Sequence, residues 1–192
     1  MALAKPEDTR MSAEAFMRWY EEQAEGVRCE LFDGLIFEMS AERLTHVRVK
    51  SRVHRQFDRQ IGERRLPCEA MVDGMAVLVD GDNVFEPDVL VRGGQPLPGE
   101  TTLILDPLIV VEVASPSTQR IDALDKFARY FRNAALVHYL IVVPTKRLVI
   151  HHARADDGRI ISASYDRGSV RLEPPGLDLS LGELFDDAPA AP

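Results

Sequence analysis

The amino-acid sequence predicts a single α/β domain, and three features of the 192-residue chain lead to that prediction. Hydrophobic residues make up 45% of the chain, which is typical of a soluble globular protein with a sizeable core. Short runs of aliphatic residues bounded by turn residues predict strands. Longer segments with apolar residues at helical spacing predict helices. Since the sequence has no internal repeat or linker, we expect one domain over residues 12–185, with flexible tails at 1–11 and 186–192.

Composition excludes several classes of protein. The sequence has no run of about 18 apolar residues, which a membrane-spanning helix would need, and its first ten residues lack the apolar core of a signal peptide. Cys29 and Cys68 are too few for a disulfide framework or a zinc site, and they fit a reducing cytoplasm. The net charge of −8 disfavours non-specific nucleic-acid binding by the whole surface, so any such binding must use a local patch.

The N-terminal region predicts a helix and then a β-hairpin. Ser12 can cap a helix over residues 12–25. Asp33-Gly34 lies between two strand-like runs, which is a strong signal for a hairpin over residues 28–39. Glu30 stands in the first of these strands and points to the face opposite that of its two neighbours.

A long helix is predicted over residues 42–65. His46 and Lys50 share its apolar face, because the apolar residues recur there every four positions. The opposite face is rich in arginine and is either a solvated surface or a ridge that contacts phosphates. Because this arginine face lies away from His46, we do not expect it to reach the same pocket. The apolar residues are Val53, Phe57 and Ile61, and the arginines are Arg48, Arg52, Arg55 and Arg59.

The rest of the chain predicts mostly strands. Pro87 lies inside a predicted strand at 84–91, which implies an edge strand or a bulge, since proline cannot donate to the ladder. One further helix is predicted at 118–133. His151 and His152 adjoin in a strand, so their side chains diverge and make a poor metal pair. Other strands are predicted at 68–72, 75–79, 138–143, 147–152 and 160–165, and a short apolar closing segment at 177–185.

A strand followed by a helix carries the strongest functional signal. The apolar run at 108–113 predicts a buried strand with Glu112 set into it. An ionised glutamate there is costly unless a metal ion or a neighbouring cation pairs with it. In the following helix, Asp122, Lys126 and Tyr130 recur every four residues and form one stripe. A buried acid opposite such a stripe indicates a functional site.

A second acid, Asp88, directly follows Pro87. If the strands that carry Asp88 and Glu112 end side by side, the two carboxylates come together. Hard divalent cations such as Mg²⁺ bind oxygen ligands and often use only one or two protein carboxylates. A metal held in this way lowers the pKa of a bound water and neutralises charge on a phosphodiester. Lys126 could then orient that water or stabilise the developing negative charge.

The ordered set of these residues resembles a known family. Pro87-Asp88 followed by Glu112-Val113-Ala114 resembles the PD-(D/E)XK nuclease motif. The longer string over 111–118, with the Asp/Lys/Tyr stripe after it, is similar to the Uma-two family of restriction-endonuclease-like proteins. The family's hairpin motif matches Cys29-Glu30-Leu31-Phe32-Asp33-Gly34, and the histidine that opens its next helix matches His46.

The resemblance covers nearly the whole chain and implies a restriction-endonuclease-like fold, an α/β fold with a mixed central β-sheet flanked by helices. It implies a metal-dependent endonuclease that hydrolyses DNA, with Mg²⁺ or Mn²⁺ as cofactor. Asp88, Glu112 and the Val113 carbonyl would hold the metal. DNA is the expected partner, and a homodimer stays open, because cleavage of two strands by a protein with one site favours two copies.

The resemblance also assigns the remaining site residues. The usual lysine of the motif falls two residues after the acid, where this chain has Ala114. Lys126 is therefore the candidate catalytic lysine, provided that its ammonium returns to the end of the strand. Glu30 is the fourth candidate catalytic residue and would support the metal site. Three further candidates for contacts around the site are His46, Asp122 and Tyr130.

Each candidate also has a purely structural interpretation. Glu112 could be a buried acid paired with an arginine, and Asp88 could be a residue of a turn. Lys126 could form an exposed pair with Asp122, which would stabilise the helix by only about 0.3–0.5 kcal/mol. His46 and Tyr130 could be core residues, and Glu30 could be a solvated strand residue.

Two other functions stay open on the sequence alone. A catalytically silent protein with the nuclease fold could use the same acidic cleft to bind a protein or nucleic-acid partner. A metal-dependent phosphoesterase could act on a substrate other than DNA. The sequence indicates no target site and no structural preference for the nucleic acid.

Overall fold

The computed structural model describes residues 10–23, 26–39, 41–114 and 122–185. Its helices are α1 (Ala13–Glu21), α2 (Leu44–Arg64), α3 (Asp122–Tyr130) and α4 (Leu181–Phe185). Its first strands are β1 (Cys29–Phe32), β2 (Leu35–Glu38), β3 (Cys68–Val72), β4 (Ala76–Asp80), β5 (Asn83–Phe85), β6 (Val89–Gly93) and β7 (Leu103–Ile104). The others are β8 (Pro107–Val113), β9 (His138–Val143), β10 (Leu148–Arg154), β11 (Ile160–Tyr165), β12 (Ser169–Leu172) and β13 (Leu177–Ser180).

Two larger sheets and a small hairpin make up the β structure. The six-stranded sheet has the order β11-β10-β9-β8-β6-β3, and β8 and β9 are its parallel pair. The five-stranded sheet has the order β2-β1-β5-β4-β7. Strands β12 and β13 pair with each other and form the small hairpin. The connection from β8 to β9 contains α3, as a parallel crossover requires. The predicted α/β fold with a mixed central sheet flanked by helices is confirmed.

Strand β8 shows how the core is divided. Val111 and Val113 are buried in a cluster with α2 and the C-terminal hairpin, whereas Val110 is buried in a second cluster with α3 and the five-stranded sheet. Side chains alternate between the faces of a strand, so Glu112 shares the face of Val110 and points towards α3. A third cluster packs α1 against the other side of the five-stranded sheet.

The N-terminal elements follow the predictions, with one difference. Ser12 caps α1 by accepting the N–H of Ala15 at 3.2 Å. The helix ends at Glu21 rather than near residue 25, because the side chain of Gln23 donates to the Trp19 carbonyl at 2.7 Å and so bonds the last turn. The predicted hairpin forms β1 and β2, and its turn residues Asp33 and Gly34 both have positive φ.

The predicted single strand at 84–91 is wrong. The chain forms β5 in the five-stranded sheet, breaks over residues 86–88, and continues as β6 in the six-stranded sheet. Pro87 marks the break, because it has no N–H for either ladder. This transfer places Asp88 where the chain passes from the five-stranded sheet to the six-stranded sheet.

Three smaller differences lie elsewhere. Helix α3 ends at Tyr130, three residues before the predicted end, where Asn133 N–H turns back to the Tyr130 carbonyl at 3.1 Å. The predicted helix start at 118 lies outside the described residues. The predicted closing segment is a strand followed by α4, and neither β7 nor β12 was predicted.

Candidate functional site

Asp88 sits against the end of β8. Strands β6 and β8 are antiparallel with Val89 opposite Val111, so the residue before β6 lies beside the last residues of β8. Asp88 is 6% exposed, and its Oδ2 accepts the backbone N–H of Val113 at 2.6 Å. The sequence predicted that the acids of these two strands come together, and the structure brings Asp88 and Glu112 together at this strand end.

Lys126 returns from α3 to the same strand end. Its Nζ donates to Glu30 Oε1 at 2.8 Å and to Glu112 Oε1 at 3.3 Å, and it lies 5.3 Å from the centre of the Phe85 ring. The residue is 6% exposed, so Lys126 is not a solvated lysine on the helix surface. The position that the usual motif gives to its lysine is Ala114, and the ammonium reaches the site from the helix instead.

Tyr130 is both a core residue and a residue that contacts the candidate site, the two interpretations that the sequence left open. Its ring is fully buried and packs against Phe85 and Tyr139, with ring centres 5.1 Å and 5.0 Å away. Its hydroxyl donates to Glu112 Oε1 at 2.9 Å. Tyr130 is therefore a core residue that also fixes the orientation of a site carboxylate.

Glu30 connects β1 to the break between the sheets. Its Oε1 accepts the Lys126 ammonium and also the backbone N–H of Glu86 at 2.9 Å. The residue is 9% exposed, so Glu30 is not a solvated strand residue. Glu30 Oε1 therefore fixes both the Lys126 ammonium and the backbone of Glu86, two residues before Asp88.

His46 approaches Asp88 from the first turn of α2. Its Nε2 lies 2.7 Å from Asp88 Oδ1, and its side chain is only 16% exposed. Burial opposes protonation of the imidazole, but the hydrogen bond and charge of Asp88 outweigh burial and raise the pKa of His46. His46 therefore contacts a candidate site acid instead of packing only among core residues.

The charges of Glu30, Lys126 and Asp88 act on the buried carboxyl group of Glu112. Burial raises the pKa of Glu112 to about 8, and the charges of Asp88 and Glu30 add to this effect while Lys126 opposes it. Burial by itself would lower the pKa of Lys126, but the charges of Glu112 and Glu30 outweigh burial and raise it. The ammonium stays charged, and the surrounding negative charge exceeds what it can balance.

The described residues contain a second acidic grouping around Asp88. Glu42, His46 and Asp88 each offer a ligand atom, and these atoms lie within 4.8 Å of one another. Glu42 lies four residues before His46 and just ahead of α2, a spacing that could have indicated it in the sequence. Asp122 begins α3, but its side chain lies outside the described part of the chain.

A partly buried ionic network that the sequence did not predict borders the site. Arg28 donates to Glu86 Oε1 at 2.8 Å and to Glu42 at 3.2 Å. Lys50 donates to Asp73 at 2.7 Å and also to Glu42. Arg28 and Glu86 are 58 positions apart in the chain, so no local spacing could have revealed the pair.

The arginine face of α2 lies elsewhere. Arg52 donates to the Leu184 carbonyl at 3.1 Å, and Arg59 pairs with Glu183 at 2.9 Å. Arg52 and Arg59 therefore contact α4, while Arg48, Arg55 and Arg59 are exposed, as the interpretation of a solvated surface expects. As the sequence predicted, the arginine face and His46 point in different directions.

Comparisons with known proteins agree with this fold. A family model, Uma2, described as "Putative restriction endonuclease", matches residues 13–183. An uncharacterized protein of Synechocystis sp. PCC 6803 is 32% identical over 178 residues, which cover 89% of this chain and 88% of that protein. A crystal structure of a putative nuclease belonging to DUF820 from Anabaena variabilis is also similar, with a TM-score of 0.73.

The Anabaena structure is 14% identical and covers 91% of this chain and 97% of its own, so it supports the fold. In the described part of the chain, no helix is long and apolar enough to cross a membrane. The family match spans the strand, the helix and the hairpin that carry the site. The chain therefore belongs to the Uma2 family of putative restriction endonucleases.

Proposed function

We propose that this protein is a metal-dependent endonuclease that hydrolyses DNA phosphodiester bonds in the cytoplasm. One observation carries the proposal: the Lys126 ammonium lies within 3.3 Å of Glu112 at the strand end that also holds Asp88. A buried lysine beside two acids supplies a positive charge where a phosphodiester would develop negative charge. Family membership supports a nuclease, and the residues of the site support the type of chemistry.

The donor set fits a divalent cation. Asp88, Glu112 and the Val113 carbonyl offer the oxygen ligands that Mg²⁺ and Mn²⁺ prefer. Burial, with smaller contributions from the charges of Asp88 and Glu30, raises the pKa of Glu112, and a bound cation would favour its ionised form. When bound, the metal would lower the pKa of a water and offset charge on the phosphate.

The side chains have separate tasks in this proposal. An ammonium has three N–H donors, and Glu30 and Glu112 accept two of those of Lys126. The third donates to the attacking water or to a phosphate oxygen. Tyr130 holds Glu112 in place, and the Val113 N–H holds Asp88 in place.

The overall reaction is hydrolysis. The water oxygen forms a bond to phosphorus, the bond from phosphorus to one sugar oxygen breaks, and that oxygen takes up a proton. One chain carries one such site, so we propose that cleavage of both strands uses a homodimer. Residues 12–185 form the catalytic domain in this proposal.

A substrate panel tests the proposal. The purified protein is incubated with supercoiled plasmid, linear duplex DNA, single-stranded DNA and RNA, each in Mn²⁺, Mg²⁺ or EDTA. We expect DNA cleavage that requires the metal. Binding without cleavage would favour the silent binding protein instead. Hydrolysis of small phosphodiesters without DNA cleavage would favour the phosphoesterase.

A further inference from the structure

An exposed aromatic ring stands beside the site on the edge strand β2. Phe37 is 51% exposed, although it lies in a regular strand of the five-stranded sheet. It is the cross-strand partner of Glu30 in the β1–β2 hairpin. Directly opposed residues of an antiparallel pair lie on the same face, with Cβ atoms about 5 Å apart. The ring of Phe37 therefore neighbours the carboxylate that holds Lys126.

The ring of Phe37 is backed by a second ring. Phe32, on the same hairpin, makes an edge-to-face contact with Phe37 at a centroid distance of 6.0 Å. The guanidinium of Arg129 lies 4.1 Å from the centre of the Phe32 ring and pairs with Asp33 at 2.8 Å. Phe32 also contacts Phe85, whose ring lies below Lys126. The rings of Phe85, Phe32 and Phe37 therefore form a continuous row from the buried Lys126 to the exposed surface.

Electrostatics alone would bind a nucleic acid poorly at this cleft. The chain carries a net charge of −8. The cations near the site, Arg28, Lys50 and Lys126, are all paired with carboxylates. Beyond the charge of a bound metal ion, binding therefore needs a contribution that does not depend on unpaired positive side chains. Stacking of a nucleobase on an aromatic ring is such a contribution, and it operates on any base.

We propose that Phe37 stacks on an unpaired nucleobase and so selects a single-stranded or locally opened nucleic-acid strand for cleavage beside Glu30. The proposal rests on the proposed nuclease function and adds its substrate class. A base inside a regular duplex has both faces covered by its neighbours, so a phenyl ring on the protein surface can stack only on a base at an end, in a gap or in a single strand.

A fluorescent base analogue tests the stacking directly. Oligonucleotides of 15 nucleotides carrying one 2-aminopurine, as single-stranded DNA, single-stranded RNA or duplex DNA, are titrated with the protein in Ca²⁺. Binding by wild type should change the 2-aminopurine emission in the single strands. Phe37→Ala should lose this change and bind single strands about five- to 150-fold more weakly, as expected for the loss of one stacked base.

Two control variants separate stacking from general effects. Phe37→Trp should retain binding and emission change, because indole stacks at least as well as phenyl. Ile161→Ala should behave as wild type, since Ile161 is 57% exposed but lies on β11 at the far edge of the other sheet. Melting temperatures of all three variants close to that of wild type would show that each protein is folded.

The outcomes distinguish this inference from the proposed function. If wild type and Phe37→Ala show equal metal-dependent cleavage on every substrate, the stacking proposal is wrong and the proposed nuclease function stands. An equal loss by Phe37→Ala on duplex and single strands would also overturn the selection of unpaired bases. A wild type that neither binds nor cleaves any nucleic acid would overturn both. A difference between the DNA and RNA strands would identify the sugar that the site accepts.

Discussion

The two ends of the parallel pair β8–β9 both bury ionisable groups, but they differ in charge. At one end, Glu112 lies opposite Ile141 and meets Lys126, Glu30 and Asp88. At the other end, His138 lies opposite Ile109, and its Nδ1 is 3.0 Å from His151 Nε2. The first end holds charges that do not cancel, and the second holds two neutral rings.

The histidine pair satisfies its own hydrogen bonds. His138 Nε2 donates to the Pro174 carbonyl at 3.0 Å, which leaves its Nδ1 to accept from His151. Burial lowers the pKa of His138, and burial together with the charge of its neighbour lowers the pKa of His151 to about 4. Both rings are therefore neutral at physiological pH. Burial of ionisable groups alone does not indicate a ligand site, whereas unbalanced charge does.

Removing one charge at the Glu112 end should have the largest effect on activity. We expect Asp88→Asn and Glu112→Gln to lower the rate of DNA cleavage by at least about 10³-fold, because each removes a carboxylate that would hold the metal. The matched change at the other end, His151→Gln, keeps a donor for His138 and should cleave at the wild-type rate. Rates are measured under single-turnover conditions with Mn²⁺. Normal cleavage by either acid variant would contradict the assignment.

Replacing Lys126 should have the next largest effect on the rate of DNA cleavage. Lys126→Met keeps an unbranched side chain that is one atom shorter and removes its charge, and we expect cleavage about 10²- to 10³-fold slower, as for loss of a group that stabilises the transition state. Mn²⁺ affinity, measured by calorimetry, should not weaken, since an ammonium is not a ligand. Ala114→Lys in the Lys126→Met background restores the usual motif position and should recover part of the rate. Wild-type cleavage by Lys126→Met would reduce Lys126 to a structural ion pair.

Without metal, the two ends of the β8–β9 pair should make the free energy of unfolding depend on pH in opposite directions. In the folded protein the pKa of Glu112 is raised from 4.5 to about 8. The unfolded chain therefore loses this proton at a lower pH than the folded protein does. As a result, stability falls as the pH rises from 4.5 to about 8. The folded pKa of His151 is lowered to about 4, so its contribution is present above the unfolded pKa of about 6.5 and is lost as pH falls towards 4.

Urea unfolding in EDTA measures these two contributions. From pH 5 to pH 8, Glu112→Gln should gain about 1–3 kcal/mol relative to wild type. From pH 6.5 down to pH 4, His151→Gln should gain a smaller amount relative to wild type, because glutamine does not titrate. Parallel curves for wild type and Glu112→Gln across the whole range would show that Glu112 is ionised in the folded protein without metal.

Local patterns in the sequence explain what could be predicted. The class of fold, the β1–β2 hairpin and the long helix α2 follow from alternation, turn residues and helical spacing, and the structure confirms them. The acid at 112 in an apolar run and the stripe that contains Lys126 are also local signals. The position of Lys126 beside Glu112 agrees with the expected return of its ammonium, while the roles of the site residues stay predictions.

Contacts between distant segments explain what could not be predicted. The break at Pro87 was visible, but the transfer of the chain from one sheet to the other depends on the packing of both sheets. The partners of Arg28 and Lys50 are Glu42, Asp73 and Glu86, which come from three separate segments, so these ion pairs leave no periodic trace in the sequence. The sequence alone predicted that an ionised Glu112 in an apolar strand needs a charged partner. It did not predict which residues would surround that carboxyl group.

The thermal response to Mn²⁺ tests most directly whether the charged end of the β8–β9 pair is a cation site. A ligand at about 100 times its dissociation constant stabilises the folded state by roughly 2.7 kcal/mol, or about 5–10 °C for a domain of this size. We expect Mn²⁺ at saturation to raise the melting temperature of wild type and of His151→Gln by this amount at neutral pH. Glu112→Gln should melt higher than wild type in EDTA and gain little from the metal. A wild-type melting temperature unchanged by millimolar Mn²⁺, or an equal rise in Glu112→Gln, would contradict the assignment.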